Sequence, residues 1–376
     1  MALTRRLLFV SNGIGEDTIA AAIIRRLPTG IATAAYPTLG DGNAFRGVAE
    51  LVGPRAELAS RGSRAYRGGL LKDIRGGVLG TVPASIGFLR HARTHYDRIV
   101  VIGDLTMVLG CRLAALSGIT YVDVYRSGYE RSYWGIEKRL MRMTCARVFC
   151  RSAALAKSLR DAGIDASAAG NVMMDTIPRG DYDAKARRRR PLAVTLLPGS
   201  RDTTIDNFRI QAAALRLLPE ALRPDLFLTL SAGVDPVALA EIAGLRFVPA
   251  ATAEAGDAGT LTGDLTVHLS RDVLGNLLDA SDLALSQAGT ATIQTIGSGK
   301  PVVTMRAKRN RGARIKGISA LYGEARILVE AEPAAVASAL QELLADPAER
   351  ARRAAIGRER IGPPGAIAAI IAELSR

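Results

Sequence analysis

The chain has 376 residues, of which 48% are hydrophobic, and this length favours two cores over one. Aromatic residues make up only 5%, and no recognised RNA- or DNA-binding motif appears, so nucleic acid is disfavoured as a partner despite the net charge of +14. Residues 1–190 carry 30 Lys and Arg against 16 Asp and Glu, so the whole excess lies in the first half. A basic first half could bind anionic lipid or a phosphorylated substrate. The alternative is that its positive charges only form an ordinary solvated surface.

Apolar runs alternate with amphipathic segments along the chain. In the first half the predicted strands are Arg6–Val10, Arg98–Ile102, Thr120–Val124 and Val148–Cys150, and the helices are about Glu16–Leu27, Ala84–Thr94, Thr106–Leu116 and Ala153–Ala162. In the second half the strands are Leu192–Leu197, Leu226–Ser231, Leu283–Ser286 and Val302–Met305, and the helices are about Asn207–Leu218, Pro236–Ile242, Val273–Asp279 and Thr290–Ser298. This alternation predicts parallel sheets with right-handed crossovers, and hence an α/β fold of two doubly wound halves.

The charged run Ala-Lys-Ala-Arg-Arg-Arg-Arg-Pro has the composition of a linker. The sequence therefore predicts an N-terminal domain over 1–183, a linker over 184–191 and a C-terminal domain over 192–376. The last helix, about 362–376, could pack back on the N-terminal domain.

The amino terminus and the cysteines bear on the compartment. The apolar run after the first residues is too short for a signal peptide, and no apolar window reaches the ~18 residues of a membrane span. The cysteines lack metal-ligand spacing and the histidines are few and scattered; these residues are Cys111, Cys145, Cys150, His91, His95 and His268. We therefore expect a cytoplasmic protein with no disulfide, metal or cofactor.

A ligand site is predicted at the Pro-Gly-Ser-Arg loop that follows the strand ending at Leu197. In open α/β sheets, ligands bind at the carboxyl ends of the strands. Gly199 permits a tight turn, Ser200 can donate from its hydroxyl, and Arg201 offers a charged planar fork for phosphate oxygens. The alternative is that Ser200 caps the next helix and Arg201 is solvated.

A second loop brings glycine and hydroxyl groups to a helix amino terminus, where unpaired N–H groups favour an anion. Its candidate residues are Ser286, Gln287, Gly289 and Thr290. Gln294 lies one helical turn further on, and its amide is expected to point toward the same helix amino terminus. The two loops could clamp a diphosphate between them, and because neither is a Walker A sequence, an ATPase is disfavoured.

Several of these segments occur in a recognisable order. They are Leu-Leu-Pro-Gly-Ser-Arg at 196–201, Ser-Gln-Ala-Gly-Thr-Ala-Thr-Ile-Gln at 286–294 with Lys-Pro-Val-Val after it, Ala-Gly-Asn-Val-Met-Met-Asp at 169–175 and Val-Ile-Gly-Asp at 101–104. Over most of the chain this order resembles the lipid-A-disaccharide synthase family, and most closely its synthase-related proteins of unassigned substrate. The resemblance implies the GT-B architecture, with two Rossmann-like domains facing a cleft.

The resemblance also implies an activity. It points to an inverting, metal-independent glycosyltransferase that moves a sugar from a UDP-linked donor of the N-acetylglucosamine type to a lipid or membrane-associated acceptor. The C-terminal domain would bind the nucleotide sugar and the N-terminal domain the acceptor. The protein would then be peripheral on the inner face of the cytoplasmic membrane, attached through its basic N-terminal half.

The chain departs from the family at three places. The family's Gly-Glu-Ala-Ser-Gly-Asp is Asn-Gly-Ile-Gly-Glu-Asp here, its histidine near the linker is Asn171, and its ribose-binding glutamate is Gln294. Asn171 and Gln294 are therefore donor-binding candidates, although a glutamine lacks the charge that strengthens a carboxylate's hydrogen bond. The acceptor-binding candidates are Asn12, Gly13, Gly15, Glu16 and Asp17. The alternative is that Glu16 and Asp17 are only favourable first-turn residues.

Asp104 is the candidate catalytic base. An inverting transfer needs a base to deprotonate the acceptor hydroxyl, and Asp104 follows a first-half strand, where the resemblance places the family's catalytic aspartate. Arg201 and the Gly289–Thr290 amides would stabilise the leaving diphosphate. The alternative is that Asp104 merely caps the helix that follows.

Two further interpretations concern the membrane and the reaction. The segment 61–79 mixes arginines, glycines and apolar residues, which suits either an anionic lipid surface or a mobile surface loop. The rival functions are a UDP-sugar 2-epimerase and a non-catalytic relative that binds nucleotide or lipid.

Overall fold

The computed structural model describes residues 5–55, 78–129, 132–200, 203–251, 256–306 and 312–376. The chain divides into two compact units. The first unit is formed by Met1–Thr176 and Pro363–Arg376, and the second by Ile177–Gly362. No helix in the described ranges is long and apolar enough to cross a bilayer.

The described part of the first unit contains one parallel sheet with helices on both faces. Its strands are β1 Arg6–Ser11, β2 Ala32–Pro37, β3 Glu50–Leu51, β4 Arg98–Gly103, β5 Ile119–Asp123, β6 Cys145–Phe149 and β7 Ala166–Ser167. Its first five described helices are α1 Ile14–Ile24, α2 Val78–Ala92, α3 Leu105–Leu113, α4 Gly135–Thr144 and α5 Ala153–Arg160. The strand order is β3-β2-β1-β4-β5-β6-β7.

Alternate residues of the central strands enter two different cores. Leu8 and Val10 of β1 pack in the core beneath α2, α3, α4 and α5, whereas Leu7 and Phe9 pack in the core beneath α1. All four side chains are fully buried. Because both faces are covered, these strands are continuous apolar runs without a polar face, which is why the sequence revealed them.

The second unit contains a mixed sheet. Its described strands are β8 Ala193–Leu197, β9 Asp225–Thr229, β10 Arg246–Val248, β11 Asp257–Thr262, β12 Thr266–Ser270, β13 Leu283–Ser286, β14 Val302–Met305 and β15 Arg326–Val329. Its described helices are α6 Thr204–Arg216, α7 Pro236–Ile242, α8 Leu274–Ala280, α9 Thr290–Gly297, α10 Gly312–Tyr322, α11 Pro333–Ala345 and α12 Pro347–Ile361. The strand order is β10-β11-β12-β9-β8-β13-β14-β15.

The α/β prediction is confirmed, and each strand and helix predicted from the sequence is present with ends shifted by a few residues. Seven observed strands were not predicted: β2, β3, β7, β10, β11, β12 and β15. The expectation of wholly parallel sheets is wrong at one edge, where β11 pairs antiparallel with both β10 and β12. These strands are short or only partly buried, so they lack the apolar run that marks a buried parallel strand.

The charged run 184–191 lies inside the second unit and does not separate the units. Three of its four arginines form ion pairs within that unit. Arg187 bonds Asp257 at 2.8 Å, and Arg188 bonds Asp282 at 3.4 Å. The linker interpretation and the boundaries drawn from it therefore differ from the structure, because acids distant in sequence hold this run against the second sheet.

The C-terminal helix, α13 Ala366–Leu374, belongs to the first unit. Ile367, Ile370 and Leu374 are buried in the same core as α1. The Asp175 carboxylate accepts the Gly365 N–H at 2.6 Å on one oxygen and the Ile367 N–H at 2.8 Å on the other. A side chain that lies 190 residues earlier therefore caps the start of this helix.

Replacing Asp175 by alanine is expected to destabilise the first unit by about 2 kcal/mol, because two N–H groups lose a charged acceptor. Chemical unfolding followed by the fluorescence of Trp134, the one tryptophan of the chain, measures this loss. The control is Asp161→Ala, which removes an exposed ion pair with Lys157 and should leave the unfolding midpoint close to that of the wild type. Equal midpoints for the two variants would contradict the capping role.

Candidate functional site

The strand order of the first sheet reverses between β1 and β4. At such a switch point the following loops run to opposite sides and leave a crevice at the carboxyl ends of the strands. Asn12 follows β1 and Asp104 follows β4. The Asn12 Nδ2 donates to the Asp104 Oδ1 at 3.1 Å, so the fold brings these two predicted site residues together.

Asp104 is the N-cap of α3. Its Oδ1 accepts the Thr106 backbone N–H at 3.0 Å and also the Thr106 hydroxyl. The side chain is half-buried. The capping role is therefore present in the geometry, and these contacts together with Asn12 fix the direction of the carboxylate.

Asn12 is buried, and its amide nitrogen donates the hydrogen bond to Asp104. Its Oδ1 has no hydrogen-bond partner among the residues that the structure describes. This oxygen lies against Gly103, which has a φ of +152°, and a Cβ at that position would overlap it. The glycine before Asp104 is thus required for the Asn12 side chain to fit.

Glu16 and Asp17 are both buried in the first turn of α1. Asp17 accepts the Ser11 hydroxyl at 2.6 Å, and Glu16 accepts the Tyr125 hydroxyl. The pKa of Asp17 is raised to about 6, because burial and, to a smaller extent, the Glu16 charge raise it while the Ser11 hydrogen bond lowers it. These two first-turn carboxylates are therefore buried and hydrogen-bonded.

The two candidate glycines of this loop differ in their surroundings. A Cβ on Gly13 would overlap the Glu16 carboxylate, which curls back over the start of the helix. A Cβ on Gly15 would meet open space. A side chain at position 13 would therefore require the Glu16 carboxylate to move.

A third carboxylate, Asp123, was missed by the sequence reasoning. It ends β5, pairs in register with Gly103 and is almost fully buried. Burial raises its pKa, although hydrogen bonds from the Tyr133 hydroxyl at 2.7 Å and from the Tyr125 and Arg126 N–H groups lower it. The signal was available, because Asp123 lies at the carboxyl end of a buried strand, the same edge of the sheet at which Asp104 was predicted.

The strand order of the second sheet reverses between β8 and β13, and both predicted phosphate loops begin there. The Gln287 N–H donates to the Leu197 carbonyl at 2.7 Å, which joins the two loops. Gly199 has a φ of +115°, a conformation that favours glycine. Ser200 is exposed beside it. Arg201 lies outside the described residues.

The candidate residues of the second loop have different surroundings. Ser286 is buried and bonds the Thr292 hydroxyl at 2.7 Å, and the Gln287 amide bonds Met305 through both its nitrogen and its oxygen. Gly289 and Thr290 are exposed at the start of α9, where no side-chain cap is present in the described chain. The first N–H groups of this helix are consequently available to an anion.

The two candidates inferred from the family's donor residues are both buried. Gln294 lies within α9 in the second unit and is 5% exposed. Asn171 lies in the first unit, where its Oδ1 accepts the Met173 N–H at 3.0 Å and its own N–H donates to the Pro363 carbonyl at 2.8 Å. Asn171 therefore anchors the returning C-terminal segment.

Two further predictions concern a metal ion and the lipid contact of the segment 61–79. Within the described ranges, no group of three or more His, Cys, Asp or Glu side chains is placed to hold a metal ion. Most of the segment 61–79 lies outside the described residues, so its predicted lipid contact stays a prediction.

These two Rossmann-like units place the chain in the GT-B fold class. Similar solved structures include a putative UDP-N-acetylglucosamine 2-epimerase from Listeria monocytogenes, with 15% identity over 99% of this chain and 96% of that one and a TM-score of 0.58. MurG from Acinetobacter baumannii has 14% identity over 99% of both chains and a TM-score of 0.56. The glycosyltransferase SnogD from Streptomyces nogalater has 17% identity over 99% of both chains and a TM-score of 0.51.

At these identities the similarity establishes the fold. Neither a protein-family model nor a curated protein matches the sequence. Similarity of fold alone does not identify the reaction.

The Asp17→Asn variant is expected to be more stable than the wild type at pH 7 by up to about 3 kcal/mol, the free energy equivalent of raising a carboxyl pKa from 3.8 to about 6. The folded protein binds this proton more tightly than the unfolded chain, so wild-type stability falls as the pH rises from about 4 to about 6. Asparagine removes that fall.

Unfolding midpoints measured between pH 4 and pH 7 check this slope. The Glu16→Gln variant is the second arm, because it removes a charge that raises the pKa of Asp17 and should move the fall in stability to lower pH. The same slope in the wild type and Asp17→Asn would show that Asp17 does not titrate in this range.

Proposed function

We propose that the protein is a glycosyltransferase of the lipid-A-disaccharide synthase-related type. It transfers a sugar, of the N-acetylglucosamine type, from a UDP-linked donor to a lipid or membrane-associated acceptor, with inversion and without a metal. The observation that carries the proposal is the exposed start of α9 beside the Gly199 turn, at the switch point of the second sheet.

The donor diphosphate would bind at this switch point. The open N–H groups at Gly289 and Thr290 and the positive end of the α9 dipole favour its charge. The left-handed turn at Gly199 lets backbone approach the phosphates without a side chain in the way. Arg201 would supply the bidentate fork that a guanidinium offers to phosphate oxygens. Asn171 and Gln294 are proposed donor residues from the resemblance alone.

Asp104 would act as the base in the first unit. The carboxylate takes the proton of the acceptor hydroxyl while that oxygen bonds to the anomeric carbon from the face opposite the donor diphosphate. The bond between the anomeric carbon and the diphosphate oxygen breaks, and UDP leaves with the electron pair. Asn12 positions the base through its contact with Oδ1.

The remaining carboxylates of the first unit would bind the acceptor sugar. Glu16 and Asp17 stand at the same edge of the sheet as Asp104, since β1 and β4 are neighbours. Carboxylates there can accept hydrogen bonds from sugar hydroxyls. A lipid acceptor would place the enzyme, as a peripheral protein, on the inner face of the cytoplasmic membrane.

A UDP-sugar 2-epimerase is the second candidate. UDP-N-acetylglucosamine 2-epimerases are among the similar structures, and a pKa of about 6 lets Asp17 exchange protons near neutral pH. In epimerisation the base removes the C2 proton while the C1–O bond to UDP breaks, so UDP leaves with its electron pair and a C1–C2 double bond forms; a proton then adds to the other face of C2 as UDP bonds to C1 again. NMR of UDP-N-acetylglucosamine incubated with the enzyme alone in D₂O would show deuterium at C2, whereas UDP release that requires a lipid extract supports transfer.

The Thr290→Asp variant tests the diphosphate site. An aspartate at the start of a helix suits the dipole and should preserve stability, but its charge would repel the diphosphate. We expect the affinity for UDP, measured by calorimetry, to fall about ten-fold or more, which is about 1.4 kcal/mol.

Uridine is the control ligand, because it carries no phosphate and should bind both proteins equally weakly. An unchanged UDP affinity in a folded Thr290→Asp variant would remove the start of α9 from the donor site.

The Asp104→Asn variant separates a base from a cap. Asparagine is nearly isosteric and caps helices well, so stability and UDP affinity should persist. An amide takes no proton at neutral pH, so transfer should fall about 10²- to 10⁴-fold. Initial rates of UDP release with a lipid extract measure this loss.

The matched control is Asp346→Asn, which changes another capping aspartate, the N-cap of α12. It should retain wild-type rates. Activity of Asp104→Asn within a few-fold of the wild type would reject the base role and direct attention to Glu16 and Asp17.

A further inference from the structure

Three helices of the first unit form one layer on a single side of its sheet. Helix α3 packs against α2 and α4, and all three contribute to one core through side chains such as Leu89, Val108 and Met141. The opposite side of these helices is the outer surface of the layer, called here the α2–α4 surface.

Large apolar side chains are concentrated on the α2–α4 surface. Ile136 is 77% exposed, Trp134 64% and Leu113 55%. Six of the eleven exposed large hydrophobic residues in the described chain lie here: Val82, Leu109, Leu113, Trp134, Ile136 and Met143. Their spacing is helical, because Leu109 and Leu113 are four residues apart and Ile136 and Met143 are seven apart. They therefore form stripes along the outer faces of α3 and α4.

The charges among these stripes are almost all positive. The exposed arginines of the layer are Arg90, Arg93, Arg112, Arg139 and Arg142. The sequences of the three helices contain a single carboxylate, Glu137. Glu137 bonds Arg126 at 3.2 Å and accepts the Trp134 N–H at 2.7 Å, so its charge is already compensated. The net field of the surface favours anions.

We propose that the α2–α4 surface binds the interface of an anionic lipid bilayer. Hydrocarbon and phosphate lie within a few ångströms of each other there, which matches apolar stripes interleaved with arginines. Nucleic acid offers the phosphates without the hydrocarbon. Trp134 has the amphipathic ring that favours this depth. Binding of the bilayer does not depend on the proposed reaction. The inference rests on the proposed function only in that a docked enzyme would have its lipid acceptor within reach.

The chain carries its own probe, because Trp134 is its one tryptophan. Sucrose-loaded vesicles of phosphatidylcholine alone and of phosphatidylcholine with phosphatidylglycerol at three to one are compared at low and high salt. We expect sedimentation with the anionic vesicles, a blue shift of Trp134 emission, quenching by brominated lipid, and release as salt rises. Sedimentation without a change in Trp134 emission would overturn the proposal.

Two double variants localise the contact. Leu113→Ser with Ile136→Ser removes apolar area, and Arg139→Glu with Arg142→Glu reverses charge; each should lower the partition coefficient about ten-fold or more. The matched controls in the second unit are Leu217→Ser with Ile242→Ser, and Arg209→Glu, which alter exposed side chains outside the layer and should bind as the wild type does.

The proposal is overturned if both double variants bind vesicles with the partition coefficient of the wild type. It is also overturned if the wild type does not sediment with vesicles at any salt concentration. Loss only after charge reversal at Arg64, Arg67 and Arg75 would assign the contact to the segment 61–79 and equally overturn it. UDP affinity is measured on the same proteins and should stay unchanged. If the wild type binds UDP and transfers sugar but does not bind vesicles, the α2–α4 surface is not a membrane site, and the proposed reaction still stands.

Discussion

The reversal of strand order within each sheet is the constraint on which the candidate sites depend. Parallel strands end on one edge, and helices fill the space above and below it except where neighbouring connections depart to opposite sides. In the first sheet this gap separates β1 from β4, and in the second it separates β8 from β13. The short polar loops after these strands lie in this gap because of the path of the backbone, whatever their side chains are.

Burial of carboxylates is the second shared feature of the first unit. Glu16, Asp17 and Asp123 are all removed from water at one edge of the sheet. An unpaired buried charge is costly, and here hydroxyl groups reduce the cost: Ser11 bonds Asp17, and two tyrosines bond the other carboxylates. The packing thus holds acidic groups in fixed positions, at the expense of raised pKa values for Asp17 and Asp123.

The sequence revealed those parts of the structure that local patterns determine. The apolar run of β8 and the Pro-Gly-Ser turn after it were predictable, because burial on both faces and a glycine turn leave local signatures. Strand β2 was missed because its Ala-Thr-Ala-Ala-Tyr-Pro has few residues that favour strands. The linker was misplaced because Arg187 bonds an aspartate 70 residues further along the chain. The pairing of Asn12 with Asp104 likewise depends on the fold, since 92 residues separate them.

The return of α13 to the first unit has a consequence for the order of folding. The first unit is assembled from both ends of the chain, so the second unit is in effect inserted into it. During synthesis the second unit can fold as soon as its own residues have left the ribosome. The core beneath α1 is complete only once residues 363–376 have been made, because Ile367, Ile370 and Leu374 belong to it.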